Sequence, residues 1–360
     1  MGAWAQILDE IQKAQRTLGA GAFDHVRRKY LIALSQKRGR AVILYASKWT
    51  QPQNIPPDLL SISDEDIQAL MTVINGIEGE ALDLILHSPG GSLEAAEALV
   101  TYLRSRFPND ICVIVPQQAM SAATMVACAG DTIMLGKHSF LGPTDPQFIC
   151  RTELGVRGIS AQDVEAQFER ARVECSDPAK IGAWIPILRT YGPDLLEKCR
   201  VATELSKSLV SGWLERYMFK GEHDAKTKAH AVADWLGSHK HFKTHARHIS
   251  REELRAKGLK IINLEEDPEV QDFVLSIFHA TTLTFDHSSA VKLVENQMGK
   301  AFIKNMQAQM GFMAPPGMML PPGMLPPGLL PRNVPAQPNP PNPPSQLNPP
   351  DSPPTNKPSE

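Results

Sequence analysis

The sequence predicts an α/β fold of repeated strand–helix units, and three observations carry that expectation. From Arg40 onward, short apolar runs suited to buried strands alternate with amphipathic stretches of helical period. Strand-to-helix connections at Pro89-Gly90-Gly91 and at Ser121 are short, as parallel pairing with covering helices requires. Finally, 18 of the 30 prolines lie from Pro315 onward, leaving a body of about 310 residues with ordinary proline content. A body of that size buries a substantial core without disulfides or metals.

Residues 1–37 read as two helices separated by a break at Gly19–Gly21, the second carrying the basic run Arg27-Arg28-Lys29. The first stretch has charges throughout and lacks the apolar centre of a signal peptide. Gln6 stands where a myristoylation signal wants Ser or Thr. AVILYAS (41–47) is a buried-strand run, and SDEDIQALMTVING (63–76) opens with the Ser-x-x-Asp pattern of a capped helix. ALDLILHS (81–88) predicts a strand, SLEAAEALVTYLRSRF (92–107) an amphipathic helix, and ICVIVP (111–116) a further strand. SAATMVACAG (121–130) follows as an apolar helix and DTIMLG (131–136) as a strand. Beyond Gly142 the periodicity predicts helices over 160–174, 193–219, 223–237, 248–259 (capped by Ser250) and 288–311.

The expected organisation is therefore N-terminal helices over 1–39 and a domain over 40–280, with its core at 40–150 and a helical insert at 150–240. A C-terminal helix over 281–312 and a disordered proline-rich tail over 313–360 complete it. The tail, with its PPGM and PPGL steps, cannot bury enough surface to offset its ordering entropy. Its Met and Leu residues leave open a role as a docking ligand.

The net charge of -2 gives no reason to expect nucleic acid as a partner. No stretch reaches 18 uncharged apolar residues, so no integral membrane segment is expected. Five cysteines without C-x-x-C spacing argue against a zinc site or disulfide framework and for a cytoplasmic chain with free thiols. His239, His241, His245 and His248 have i, i+3 and i, i+4 spacings, but no H-E-x-x-H carboxylate accompanies them, so no metal is expected.

Two segments bear chemistry. In HSPGGSLEAAEAL, two glycines between strand and helix let the backbone turn sharply and point N–H groups outward near a helix N-terminus. Such a turn suits a developing oxyanion, although it also serves as a plain connection. In VPQQAMSAATMVACAGD, Ser121 is either an N-cap or a nucleophile raised above the helix start, with the Ala122 N–H facing the same space. Both segments follow adjacent strands, and ligands bind at the carboxyl ends of parallel strands.

HSPGG followed by a helix, a strand and AMSAATMVACAGDTIMLGKHSFLGPTDPQ resembles the Clp-fold serine peptidases. Within them it is most similar to the serine dehydrogenase proteinase family, and more distantly to signal peptide peptidase A and the Clp protease subunit. The likeness covers roughly 80–150, with a second stretch in THARHISREELRAKGL (244–259). It implies a Clp/crotonase-like fold, Ser121 as nucleophile, and an oxyanion hole from Gly90, Gly91 and the Ala122 backbone. It further implies a Ser–Asp–His triad completed by Asp145 and His245, with no cofactor. A peptide or protein substrate and assembly into a homo-oligomer are implied as well.

Asp145 would hold His245 in the tautomer that accepts the serine proton. Alternative bases are His138, seven residues before Asp145, and Lys180, which would need burial to lower its pKa. His87, ahead of the glycine turn, suits a role in orienting that loop. Two other functions share the pattern: a crotonase-like acyl-CoA enzyme, and a non-catalytic scaffold docking partners through the tail.

Overall fold

A computed structural model describes residues 4–50, 55–152 and 155–306. Helices α1 (Trp4–Leu18) and α2 (Ala22–Arg38) are followed by β1 (Ala41–Ser47), α3 (Pro57–Leu60), α4 (Glu65–Ile74), β2 (Ala81–His87) and α5 (Leu93–Arg106). Next come β3 (Asp110–Val115), β4 (Gln118–Ala119), α6 (Ala122–Cys128), β5 (Thr132–Leu135) and β6 (Phe140–Leu141). A hairpin of β7 (Gln147–Thr152) and β8 (Gly155–Ser160) leads into α7 (Ala161–Glu174), α8 (Pro178–Leu188), α9 (Leu195–Arg216), α10 (Ala225–Leu236) and α11 (His239–Phe242). The described chain closes with α12 (Arg251–Ala256), β9 (Ile261–Asn263), α13 (Pro268–His287), β10 (Ala290–Asn296) and β11 (Ala301–Asn305).

Seven strands form the main sheet in the order β11-β10-β1-β2-β3-β5-β9. From β1 to β9 all neighbours are parallel, whereas β10 is antiparallel to both β1 and β11. Every residue of β1 is buried, because a parallel strand covered on both faces has no wet side and reads as a continuous apolar run. The pleat still sorts its side chains. Ile43 and Tyr45 join Leu82, Leu84 and Leu86 beneath α4, α5, α6, α9 and α10. Val42, Leu44 and Ala46 join Ile85, Cys112 and Ile114 beneath α1, α2 and α13.

That second layer revises the expected boundaries. The described residues form one compact unit, and Ile7, Ile11, Val26, Leu31 and Leu34 of the N-terminal helices are core residues packed with Val270, Val274 and Ile277 of α13. Where a helix was expected over 288–311, residues 290–305 form the β10–β11 hairpin, turning at Gly299 with φ +80°, and residues 307–311 lie outside the described residues. Lys292 and Glu295 gave this stretch its amphipathic look, yet both are fully buried. Lys292 Nζ donates to Asp66 Oδ1 at 2.8 Å and to the Ser61 carbonyl at 2.7 Å, while Glu295 accepts from Arg27 and Arg28. The preceding helix, α13, is capped by the Asp267 carboxylate and was not read from the sequence. The insert is also less helical than expected, since it opens with the β7–β8 hairpin. The proline-rich tail lies outside the described residues.

Candidate active site

The site forms where β2 ends. Ser88 bridges to Ala119 in parallel register, with Met120 N–H donating to the Ser88 carbonyl at 3.0 Å. The chain around Ser121 therefore runs beside the Pro89-Gly90-Gly91 turn. Gly90 has φ +97°, and a Cβ there would lie 2.6 Å from the Met120 carbonyl oxygen and 2.8 Å from both Ala122 N and Ser121 Cβ. A Cβ on Gly91 would strike the Ile62 backbone at 2.2 Å. Only glycine allows this approach at either position.

Hydrogen bonding separates the amides of the turn. The Gly90 carbonyl accepts from Ile62 N–H at 2.7 Å, and Ser92 N–H donates to the Ile62 carbonyl at 3.0 Å. Gly90 N–H donates to Ser88 Oγ at 3.2 Å. Gly91 N–H and Ala122 N–H have no acceptor among the described residues.

Ser121 adopts φ +53° and ψ -123°, a conformation costly for a residue with a Cβ. Its side chain caps no N–H of α6, so the ordinary reason for a serine at a helix start is absent. The strain is held from both sides. Ala123 N–H donates to the Met120 carbonyl at 2.9 Å, and Thr124 Oγ1 donates to the Ala119 carbonyl and accepts from Gly142 N–H.

The segment with the expected histidine is drawn in by an antiparallel bridge of Leu141 to Ile249, which joins the β6 end to the chain before α12. Between them Asp145 is fully buried. Its Oδ1 lies 2.8 Å from His245 Nδ1, and its Oδ2 lies 2.7 Å from His239 Nδ1 and 2.8 Å from Gln147 Nε2. His239 Nε2 is in turn 3.1 Å from Asp163 Oδ2 on α7. Both histidines line a cavity of about 590 Å³ with Pro89 and Met120, the chain neighbours of Gly90 and Ser121. No hydrogen bond joins Ser121 Oγ to His245 among the described residues.

The other candidate bases fare differently. Lys180 is corrected: its side chain is 57% exposed on α8 and sits 3.6 Å from Asp177, so it lacks the burial that would make it a base. His138 is exposed in the turn after β5. His87 is buried between Trp49 and Phe278, with ring centroids 5.7 and 5.0 Å away, and burial pushes its pKa down to about 3. His248 stacks on Phe140, and His241 packs on Phe242. Among the described residues no group of three or more His, Cys, Asp or Glu could hold a metal ion. All five cysteines are free. No described helix is long and apolar enough to cross a membrane. Sequence reasoning missed the place of His239, because four histidines in a basic run look alike whether solvent or a buried carboxylate faces them.

Residues 18–158 match the family of ClpP-like SDH-type serine proteinases, which bears out the resemblance read from the motifs and with it the Clp-like α/β fold. Two uncharacterized proteins of Methanocaldococcus jannaschii are similar to this chain. One is 35% identical over 123 residues, which is 34% of this chain and 43% of the relative. The other is 36% identical over 87 residues, 24% of this chain and 30% of the relative. The chain thus spans less than half the length of these curated relatives. Among solved structures, a mutant of the 1510-N membrane-bound stomatin-specific protease aligns at 15% identity and a TM-score of 0.35, over 59% of this chain and 79% of that one.

Proposed function

We propose that this protein is a serine peptidase that hydrolyses peptide bonds through an acyl-enzyme on Ser121. One observation carries the reading most: a strained serine that caps no N–H of α6 stands beside two backbone amides that have no acceptor among the described residues, with a carboxylate-held histidine on the adjoining cavity.

The chemistry follows from the donors and acceptors. His245 gives its Nδ1–H to Asp145, which leaves the Nε2 lone pair to take the Ser121 proton as Oγ attacks the scissile carbonyl. The carbonyl π pair moves to oxygen, and the resulting anion accepts from Gly91 N–H and Ala122 N–H. Collapse breaks the C–N bond as the His245 imidazolium passes its proton to the leaving amine. Water then attacks the acyl-enzyme by the same route, its proton going to His245 and returning to Ser121 Oγ, releasing the carboxylate. His239 is ill placed as the base, since both its ring nitrogens already face carboxylate oxygens.

A fluorophosphonate probe tests this. The wild type is expected to label and Ser121→Ala to stay unlabelled, while His245→Ala slows labelling by about 10²–10⁴-fold. Folded wild-type protein that does not react would favour the scaffold reading, and labelling that survives Ser121→Ala would refute the assigned nucleophile.

A further inference from the structure

Two adjacent glycines give the turn after β2 its close approach to Ser121, and the same freedom lets the peptide group between them rotate. We propose that the buried Lys292–Asp66 pair sets that rotation: both are positioning residues for the oxyanion donor Gly91 N–H, acting through the backbone of Ile62. The inference rests on the peptidase reading above and adds to it the device that aims one of its two donors.

The contacts run without a gap from the C-terminal hairpin to the glycine turn. Lys292 Nζ on β10 donates to Asp66 Oδ1 and Oδ2 at 2.8 and 3.0 Å and to the Ser61 carbonyl at 2.7 Å, which uses all three of its protons. Asp66 Oδ2 also accepts from Ser63 N–H at 2.9 Å and from the Tyr45 hydroxyl at 2.8 Å. The pair therefore grips the residue on either side of Ile62. Ile62 itself bridges to Gly91 in parallel register, donating its N–H to the Gly90 carbonyl and accepting from Ser92 N–H. Lys292, Asp66 and Ile62 are all buried, where an unmade hydrogen bond is costly.

One peptide group carries the effect to the site. In a trans peptide the C=O and the N–H point in opposite directions. With the Gly90 carbonyl fixed on Ile62 N–H, the Gly91 N–H of the same peptide faces away from Ile62, and it has no acceptor among the described residues. Were the Ile62 segment to shift, this peptide would be free to rotate and present a carbonyl oxygen where the anion forms, turning attraction into repulsion. A buried ion pair is by itself a weak source of stability, since apolar residues of similar volume often serve as well. The value of this one is directional, because it holds a carbonyl and an N–H at fixed places beside the turn.

The experiment follows fluorophosphonate labelling of the full-length chain and separates reversible binding of the probe from the rate at which Ser121 Oγ displaces fluoride from phosphorus. Lys292→Met combined with Asp66→Asn removes both charges and the bond to Ser61 without stranding either ion. It should slow the displacement by about 10²-fold, the cost of one oxyanion donor, with reversible binding unchanged. The ³¹P resonance of its phosphonyl adduct should differ from the wild-type value, because the phosphoryl oxygen has lost a donor. Gly90-Gly91 is the only Gly-Gly pair in the sequence, so glycine labelled with ¹³C at the carbonyl and ¹⁵N at the amide marks the Gly91 N–H uniquely. In the wild type that amide proton should move downfield when the adduct forms. A folded double variant with the wild-type displacement rate and ³¹P resonance overturns the proposal, however much stability it has lost. A Gly91 signal unmoved by labelling of the wild type overturns it as well, and that measurement needs no variant. A folded wild type that fails to label strikes the peptidase reading itself, so the two failures are distinguishable.

Discussion

His87 ends β2 ahead of the glycine turn and His245 lines the cavity beside that turn, yet their surroundings give them opposite characters. His245 has a carboxylate on one ring nitrogen and a cavity beside it. His87 is enclosed by Trp49 and Phe278, and its Nδ1 has no hydrogen-bond partner among the described residues. Burial holds it neutral down to about pH 3, against an ordinary value of 6.5. Between those values the unfolded chain binds a proton that the folded chain refuses, so the contribution is complete above pH 6.5 and is lost as pH falls towards 3. By pH 5 the loss amounts to about 2 kcal/mol relative to pH 7. Urea unfolding at the two pH values should show His87→Phe losing that much less than the wild type, and equal losses in both proteins would refute the assignment. The same scale explains what was legible in the site. The glycine turn and Ser121 are local motifs thirty residues apart, so the sequence displays them. Asp145 and His245 are separated by 100 residues and were paired through family resemblance. His239 had no distinguishing signal, because its partners Asp145 and Asp163 are brought to it by the β7–β8 hairpin and α7.

Among elements, the hairpin β10–β11 is the clearest failure of local reading. AVKLVENQMGKAFIKN spaces apolar residues as a helix does, and buried Lys292 and Glu295 supply a polar face that solvent never sees. Their partners are Asp66 and Arg27, more than 200 residues away, so no window along the chain contains the reason for the strand. The parallel strands were legible because a doubly covered strand needs only apolar side chains, which composition reports directly. The Arg27–Glu295 pair locks α2 onto β10 and is fully buried on both sides. Arg27 also donates to Thr284 Oγ1 at 2.8 Å and Asp24 Oδ1 at 2.6 Å. Arg27→Ala should therefore cost about 3–5 kcal/mol in urea unfolding by stranding a buried carboxylate. Arg28→Ala, at a side chain 36% exposed, should cost about 1 kcal/mol or less. Equal costs would mean that the two arginines hold Glu295 equally and would refute the assignment of Arg27 as its main partner.

At the level of the whole molecule, the sheet is a partition between two cores. One core lies under the helices that follow the strands, and the other lies under α1, α2 and α13. The N-terminal helices are thus half of a lid on the second core rather than an appendage. A chain lacking residues 1–39 would expose Val42, Leu44, Ala46, Ile85 and Ile114 together with one flank of α13. Such a patch exceeds what a soluble monomer tolerates. The expected outcome is loss of a cooperative thermal transition together with strong binding of a hydrophobic dye. A sharp melt near the wild-type temperature would refute it.

The Arg27–Glu295 link also sets an order of events in time. Arg27 leaves the ribosome before its partners Thr284 on α13 and Glu295 on β10, which are translated 257 and 268 residues later. Until then the N-terminal helices have no partner to bury against, and β1 lacks its antiparallel neighbour β10. Contacts this distant in sequence must meet the cost of closing a long loop before they return any stabilisation. The second core therefore closes only after the serine, the glycine turn and both carboxylate-bound histidines have been synthesised, which makes the synthesis of β10 the checkpoint for closing the fold around the candidate site.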